Sequence, residues 1–165
     1  MGAEVSDLGQ YSLDGPIDDN IWVVKQGVSD DDSLITVFTD ESNDREKRQL
    51  FQRNIKLLRS IRHPCVLHYL SSGEVSSGSY LVTERVTPLR QVIDTLDPVE
   101  VCAGLFDVLQ GLSFLHERAG ISHNNICMDC LYITNSGLWK IGGFEFACKF
   151  SDGTPEFLSS GKKVI

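Results

Sequence analysis

No run of about 18 apolar residues appears in this sequence, so no membrane-crossing helix is expected, and no basic stretch followed by an apolar core suggests a secretory leader. Cysteine is sparse and unpaired in number: five residues without the spacing of a disulfide framework read as reduced thiols of an intracellular protein. Positive charge is nearly absent from residues 1–44, which hold eleven Asp or Glu and only Lys25. With a formal net charge of −8 over 165 residues, the whole chain opposes nucleic-acid backbones, and no nucleic-acid partner is expected. What is present is ordinary for one globular domain: 41% hydrophobic residues, 23% charged residues and a mean hydropathy close to zero.

Two segments have helical periodicity. From Asp44 to Arg62, apolar Leu50, Phe51, Ile55, Leu57, Leu58 and Ile61 recur near period 3.6, opposite Arg45, Arg48, Gln52, Lys56 and Arg59, and Pro64 enforces the stop. Residues 45–62 hold seven Lys or Arg and one Glu, a charge run that reads first as a solvated face. The second helix opens on a capping box, with Asp97 as N-cap, Pro98 in the first turn and Glu100 at the third position. Its expected buried stripe is Cys102, Leu105, Phe106, Leu109, Leu112 and Leu115, and Gly120 suits the C-terminal cap. Strands are expected at Ser33 to Thr39, Leu67 to Ser72, Tyr80 to Val86, Tyr132 to Thr134 and Leu138 to Ile141, the last two joined by Asn135-Ser-Gly137. Strands with one helix, followed by mostly helix, is a two-lobed α+β order.

The most informative stretch lies between Ile121 and Phe146. It reads Ile121-Ser-His-Asn-Asn-Ile-Cys-Met-Asp-Cys130, then a hairpin, then Lys140-Ile-Gly-Gly-Phe-Glu-Phe146. This resembles the catalytic loop H-R-D-x-x-x-x-N and the D-F-G motif of protein kinases, in which an Asp is the base and an Asn and a second Asp hold metal. In that register His123 keeps the His, Asn125 replaces the base and Cys130 replaces the metal-binding Asn. Gly143-Phe144-Glu145 stands for D-F-G. Asn54, heading Asn54-Ile-Lys-Leu-Leu, occupies the place of the helix Glu that pairs with the phosphate-binding Lys, and Ser33-Leu-Ile-Thr-Val-Phe-Thr39 contains no such Lys. Gly9, Gly15 and Gly27 are scattered among Asp14, Asp18 and Asp19 and form no phosphate cradle. Thr154-Pro-Glu156 resembles A-P-E, with only eight residues between Glu145 and Thr154.

Arg62-His-Pro-Cys65, Leu81-Val-Thr-Glu-Arg-Val86, Val101-Cys-Ala-Gly104, Ser122-His-Asn-Asn125, Leu138-Trp-Lys-Ile-Gly-Gly143 and Thr154-Pro-Glu-Phe-Leu158 together resemble the SCY-like pseudokinase family. The resemblance implies an α+β, kinase-like fold: an N-terminal segment at 1–19, a partial pseudokinase domain at 20–158 and a tail at 159–165. Later helices of the second lobe and a helical-repeat region, expected from the family, would follow in a longer form. The implied function is a catalytically inactive scaffold, without nucleotide or metal cofactor, that binds protein partners. Ezrin is the implied partner, in membrane trafficking or cell migration, with a cytoplasmic location that includes Golgi membranes and the leading edge. The competing reading is a weak ATP-binding kinase in which Asp129 or Glu145 serves as metal ligand. A third is a short product that does not fold stably.

Other motifs have two readings each. Met1-Gly-Ala-Glu-Val-Ser6 fits the N-myristoylation pattern with Gly2 as acceptor. His123, Cys127 and Cys130, with Cys148 downstream, form half of a zinc-type spacing, whereas the kinase register makes His123 a core residue bracing the loop. Lys140 reads as a strand residue rather than a displaced nucleotide lysine.

Overall fold

Alternation of apolar residues along the first strands decides which side of the sheet meets the core. In the computed structural model, which describes residues 4–5, 9–18, 21–76 and 78–152, the chain begins with β1 (Glu4–Val5), β2 (Tyr11–Asp18), β3 (Val23–Ser29) and β4 (Leu34–Asp40). With β5 (Tyr69–Val75) and β6 (Gly78–Glu84) they form a six-stranded antiparallel sheet in the order β1-β2-β3-β4-β6-β5. Ile35 and Val37 of β4 pack with Leu13 and Val82 on the outer side. Val24, Phe38 and Leu81 face inward, into the main core.

Helix α1 (Arg45–Ser60) covers the inner side. Asp44 caps it by accepting from the Glu46 amide at 2.8 Å, and Ile61 leaves it in extended conformation just before His63-Pro64. Phe51, Ile55 and Leu58 are buried on this helix and Ile61 just beyond it, as the periodicity predicts, while Leu50 and Leu57 are half-buried. Each fully buried side chain of this size contributes about 1.5–3 kcal/mol through removal of apolar surface from water.

After β7 (Thr87–Pro88) and a 3₁₀ turn at Leu89–Gln91, helix α2 (Pro98–Phe114) begins with the expected box. The Asp97 carboxylate accepts from the amides of Val99 and Glu100, and the Glu100 carboxylate accepts from the Asp97 amide. A π turn (Leu115–Ala119) ends the helix at Gly120, which takes the left-handed conformation at φ 63°.

The buried face of α2 corrects the sequence expectation. Cys102, Leu105, Phe106 and Leu109 are exposed, Leu112 is half-buried, and only Leu115 of the expected stripe is fully buried. The inward residues are Gly104, Val108 and Gly111. A Cβ on Gly104 would lie 2.0 Å from the Trp139 ring, and one on Gly111 would lie 2.8 Å from Ile141. The helix therefore turns its least bulky face toward a large neighbour, because two rings' worth of volume already occupy the interface. The absence of a span-length apolar segment is also corrected: by length and composition alone, Pro98–Ala119 is long and apolar enough to cross a membrane, at a mean hydropathy of 1.3. Here this helix packs on the hairpin, and Asp107 accepts the Trp139 amide at 3.0 Å.

The hairpin comprises β9 (Leu131–Ile133) and β10 (Trp139–Ile141), closed by a turn with Gly137 at φ 88°. It forms a three-stranded sheet with β7, while β8 (Ile121–Ser122) pairs with β11 (Cys148–Lys149). The expected α+β, kinase-like architecture is thus observed, and the catalytic-loop segment lies between α2 and the hairpin.

Candidate functional site

The crevice between the six-stranded sheet and the hairpin is where a kinase would hold nucleotide, and here it is largely full. A cavity of about 20 Å³ remains, bordered by Trp22, Asn125, Asp129, Gly143 and Glu145. That is on the order of one water.

Two aromatic groups fill the space. Trp22, just before β3, lies edge-on to Phe51 of α1 with centroids 4.7 Å apart, and its indole N–H donates to Glu145 Oε1 at 2.7 Å. Burial pushes the Glu145 carboxyl above its ordinary pKa, and the Trp22 hydrogen bond pulls partly the other way. Phe38 of β4 meets Tyr132 of β9 edge-to-face at 5.4 Å and 88°. The Tyr132 phenol, enclosed, is held well above the usual tyrosine range. On the strand expected to lack a phosphate lysine, the inward positions are Thr36 and Phe38, and the Thr36 hydroxyl donates to the Val86 carbonyl.

The sequence-predicted positions converge beneath this aromatic layer. Asn54, buried in α1, accepts the Phe144 amide through Oδ1 at 3.0 Å. His123 Nε2 lies 2.7 Å from the Gly142 carbonyl, and Nδ1 accepts the Asn125 amide at 3.3 Å, an arrangement that places the ring proton on Nε2. Burial holds this imidazole below its ordinary pKa, so it is neutral. Its ring meets Phe144 edge-on at 4.9 Å. His123 is thus a core brace, with both nitrogens engaged.

Cys130 donates its thiol to the Cys127 carbonyl at 3.0 Å and accepts the Cys127 amide at 3.3 Å, and burial pushes it up to about 12. Its sulfur is thus engaged in both directions within the Cys127–Cys130 turn. Gly143 has φ 67°, and a Cβ there would sit 2.7 Å from Cys130 Cβ. The position where a kinase carries its metal-binding carboxylate therefore has neither the conformation nor the room for an ordinary side chain. Asn125 borders the cavity, and its amide cannot take up a proton at neutral pH.

The carboxylates at the mouth are engaged. Arg90, on the turn after β7, pairs with Asp18 at the end of β2 and with Asp129 of the catalytic-loop segment, the latter at 2.8 Å. Gln91 adds a hydrogen bond to the Ile17 carbonyl at 2.6 Å. Lys140 lies in β10 and pairs with Glu84 at 2.9 Å, while Lys25 sits in register with Val37 on the outer side, 3.9 Å from Glu41. Among the described residues, no three His, Cys, Asp or Glu side chains converge as a metal site. Gly2 and Thr154-Pro-Glu156 lie outside the described residues. Sequence reasoning missed Trp22, Phe38, Tyr132 and Arg90. A Trp at the entry to a strand just after Asp18 and Asp19, where a phosphate cradle would end, is the one signal that could have pointed to the first of them.

Comparison with known proteins agrees with this geometry. A protein kinase domain profile matches residues 23–162. The mouse protein associating with the carboxyl-terminal domain of ezrin is 39% identical over 99% of this chain. The probable inactive serine/threonine-protein kinase scy1 of Dictyostelium discoideum is 29% identical over 92%. The chain spans 22% and 19% of the lengths of these two relatives. Among solved structures, Cex1p superposes with a TM-score of 0.77 over 90% of this chain and 28% of its own, at 20% identity, a likeness of fold. The chain belongs to the protein kinase domain family, and its relatives there include SCY-like proteins, one of them named as probably inactive.

Proposed function

We propose that this chain is a pseudokinase domain, a non-catalytic body that presents surfaces to protein partners. The observation that carries this reading is the Trp22 indole, buried in the cleft and fastened to Glu145, where a nucleotide would have to enter. Around it, Asn125, Cys130, Gly143, Glu145 and Asn54 stand in place of the base, the metal ligands, the glycine of D-F-G and the ion-pairing Glu, while His123 and Phe144 persist as structural residues. Cooperating groups of this kind usually contribute orders of magnitude each to rate, and their losses do not add simply. Neither Asp129, held by Arg90, nor Glu145, held by Trp22, is free to take over as metal ligand.

The test is a titration of the 165-residue chain with ATP and Mg²⁺ or Mn²⁺, read by thermal unfolding. A ligand bound only to the folded form raises the melting temperature. The expected result is no shift, and a saturable metal-dependent rise overturns the reading.

The name of the mouse relative suggests ezrin as a partner. We propose further, from the family resemblance alone, a role in trafficking or migration, with the protein cytoplasmic and peripheral on Golgi membranes and at the leading edge. Pull-down of the carboxyl-terminal domain of ezrin with residues 1–165 and with a longer form tests this. Binding by the longer form alone places the contact outside this chain. Acylation of Gly2 belongs to the same proposal. A single acyl chain binds membrane only marginally, with K on the order of 10⁴ M⁻¹. Labelling with an alkyne fatty acid, with Gly2→Ala as control, decides whether it occurs.

A further inference from the structure

The outer face of α1 carries a feature the cleft does not explain. Residues 45–62 contain seven of the 15 Lys and Arg in the chain and one of its 23 Asp and Glu. In the folded helix, Arg45, Arg48, Lys56 and Arg59 are exposed and fall at spacings of three, eleven and fourteen, a single row along one side. At a rise of 1.5 Å per residue this row is about 21 Å long. Glu46, the only acid in the helix, lies off the row, in the first turn. The ion pairs among the described residues join Lys25 with Glu41, Arg90 with Asp18 and Asp129, and Lys140 with Glu84. None includes a residue of this row.

The cations do not wander as a set. Phe51, Leu58 and the Asn54 bond to Phe144 hold the opposite face in the core, which fixes the spacing of the Cα atoms. Arg62, just beyond the C-terminus, donates to the carbonyls of Arg59 and Ile61, so the positive charge continues past the last turn. Arg48 donates to the Ser42 carbonyl at 3.4 Å, a contact with a neutral group that leaves its charge uncompensated. A strongly acidic chain that gathers cations in one row, without pairing them to its own carboxylates, has a surface matched to negative charge.

We infer that the exposed row Arg45, Arg48, Lys56 and Arg59 on α1 is a docking surface for an acidic, extended polypeptide segment of a partner protein. The shape favours a peptide over a membrane: a narrow row reads a line of carboxylates, whereas a planar anionic surface would also meet the acidic remainder of the chain. With a screening length of about 8 Å at physiological salt, a peptide responds mainly to the row itself. Nucleic acid is disfavoured by the same net charge. This inference names a partner chemistry for the proposed protein-binding role but uses a surface remote from nucleotide chemistry, so ATP binding would overturn the earlier reading and leave this one standing.

The test uses the 165-residue chain and a fluorescein-labelled peptide alternating Glu and Ser over twelve residues, followed by anisotropy at two salt concentrations. A Gln and Ser peptide of equal length is the control. Binding of the acidic peptide alone, weaker at high salt and reduced about tenfold by Lys56→Glu with Arg59→Glu, supports the inference. Lys149→Ser, an exposed cation elsewhere, should leave binding unchanged, and circular dichroism checks that each variant is folded. No binding of the acidic peptide, or an equal loss with Lys149→Ser, overturns it. So does binding to phosphatidylserine vesicles without binding to the peptide, and so does self-association that accounts for the anisotropy.

Discussion

Both long helices carry an apolar stripe at helical spacing, one in a basic sequence and one in an apolar sequence, and the two stripes behave oppositely in the structure. In α1 the apolar stripe read from periodicity is the buried stripe, with Phe51 and Leu58 fully enclosed. In α2 the apolar stripe points outward, with Phe106 59% and Leu109 64% exposed, and the glycines point in. Hydrophobic periodicity says which face a helix prefers to hide, but the neighbour decides which face it can hide. The sheet offers α1 a receptive floor of Val24, Phe38 and Leu81. The hairpin offers α2 a Trp139 ring that only a glycine can sit against.

That contrast can be broken most sharply by truncating matched aromatics. Phe51→Ala should cost about 3–5 kcal/mol by leaving a cavity in the core, whereas Phe106→Ala should stay within about 0.5 kcal/mol; urea unfolding of the two variants checks both. Equal losses would mean that the outward face of α2 is covered in solution. Next in size is Gly104→Ala, a change that ordinarily favours a helix. Here the added methyl would meet the Trp139 ring, and a destabilisation of about 1–3 kcal/mol is expected in the same experiment.

A smaller effect concerns pH. The Glu145 pKa is raised in the folded state, so between its ordinary value and the folded one the native protein holds a proton that the unfolded chain releases. Stability therefore falls as pH rises through that window. His123, with its pKa lowered, acts in the opposite sense: stability is lost as pH falls from the ordinary histidine value toward the folded one. Glu145→Gln should flatten the Glu145 part of the profile and leave the acid-side loss; thermal unfolding from pH 4.5 upward checks this. The smallest expected change is in the stability of Leu105→Ser with Leu109→Ser, within about 0.5 kcal/mol per site. The same double change should clearly lower the fluorescence of a dye that reports exposed apolar surface.

The kinase architecture was legible because short motifs, a capping box and strand alternation are local signals. Asn54, His123 and Phe144 could be placed from the motif register alone, and the structure brings them into one cluster. Trp22, Phe38, Tyr132 and Arg90 could not be read this way: Trp22 meets Glu145 across 123 residues, and Arg90 meets Asp18 across 72, pairings on which no periodicity bears. The α2 stripe was misread for a related reason. A glycine gives no hydropathy signal, and its value lies in the volume of a residue 35 positions away.

The Arg90 bridge has a mechanical consequence. One guanidinium links the end of a sheet strand to the catalytic-loop segment, so a single side chain bridges the upper and lower jaws. A kinase spends conformational freedom each time its jaws shut. To the extent that the bridge holds the jaws at one angle, that cost is met on folding, and any partner spanning both would meet a preset surface.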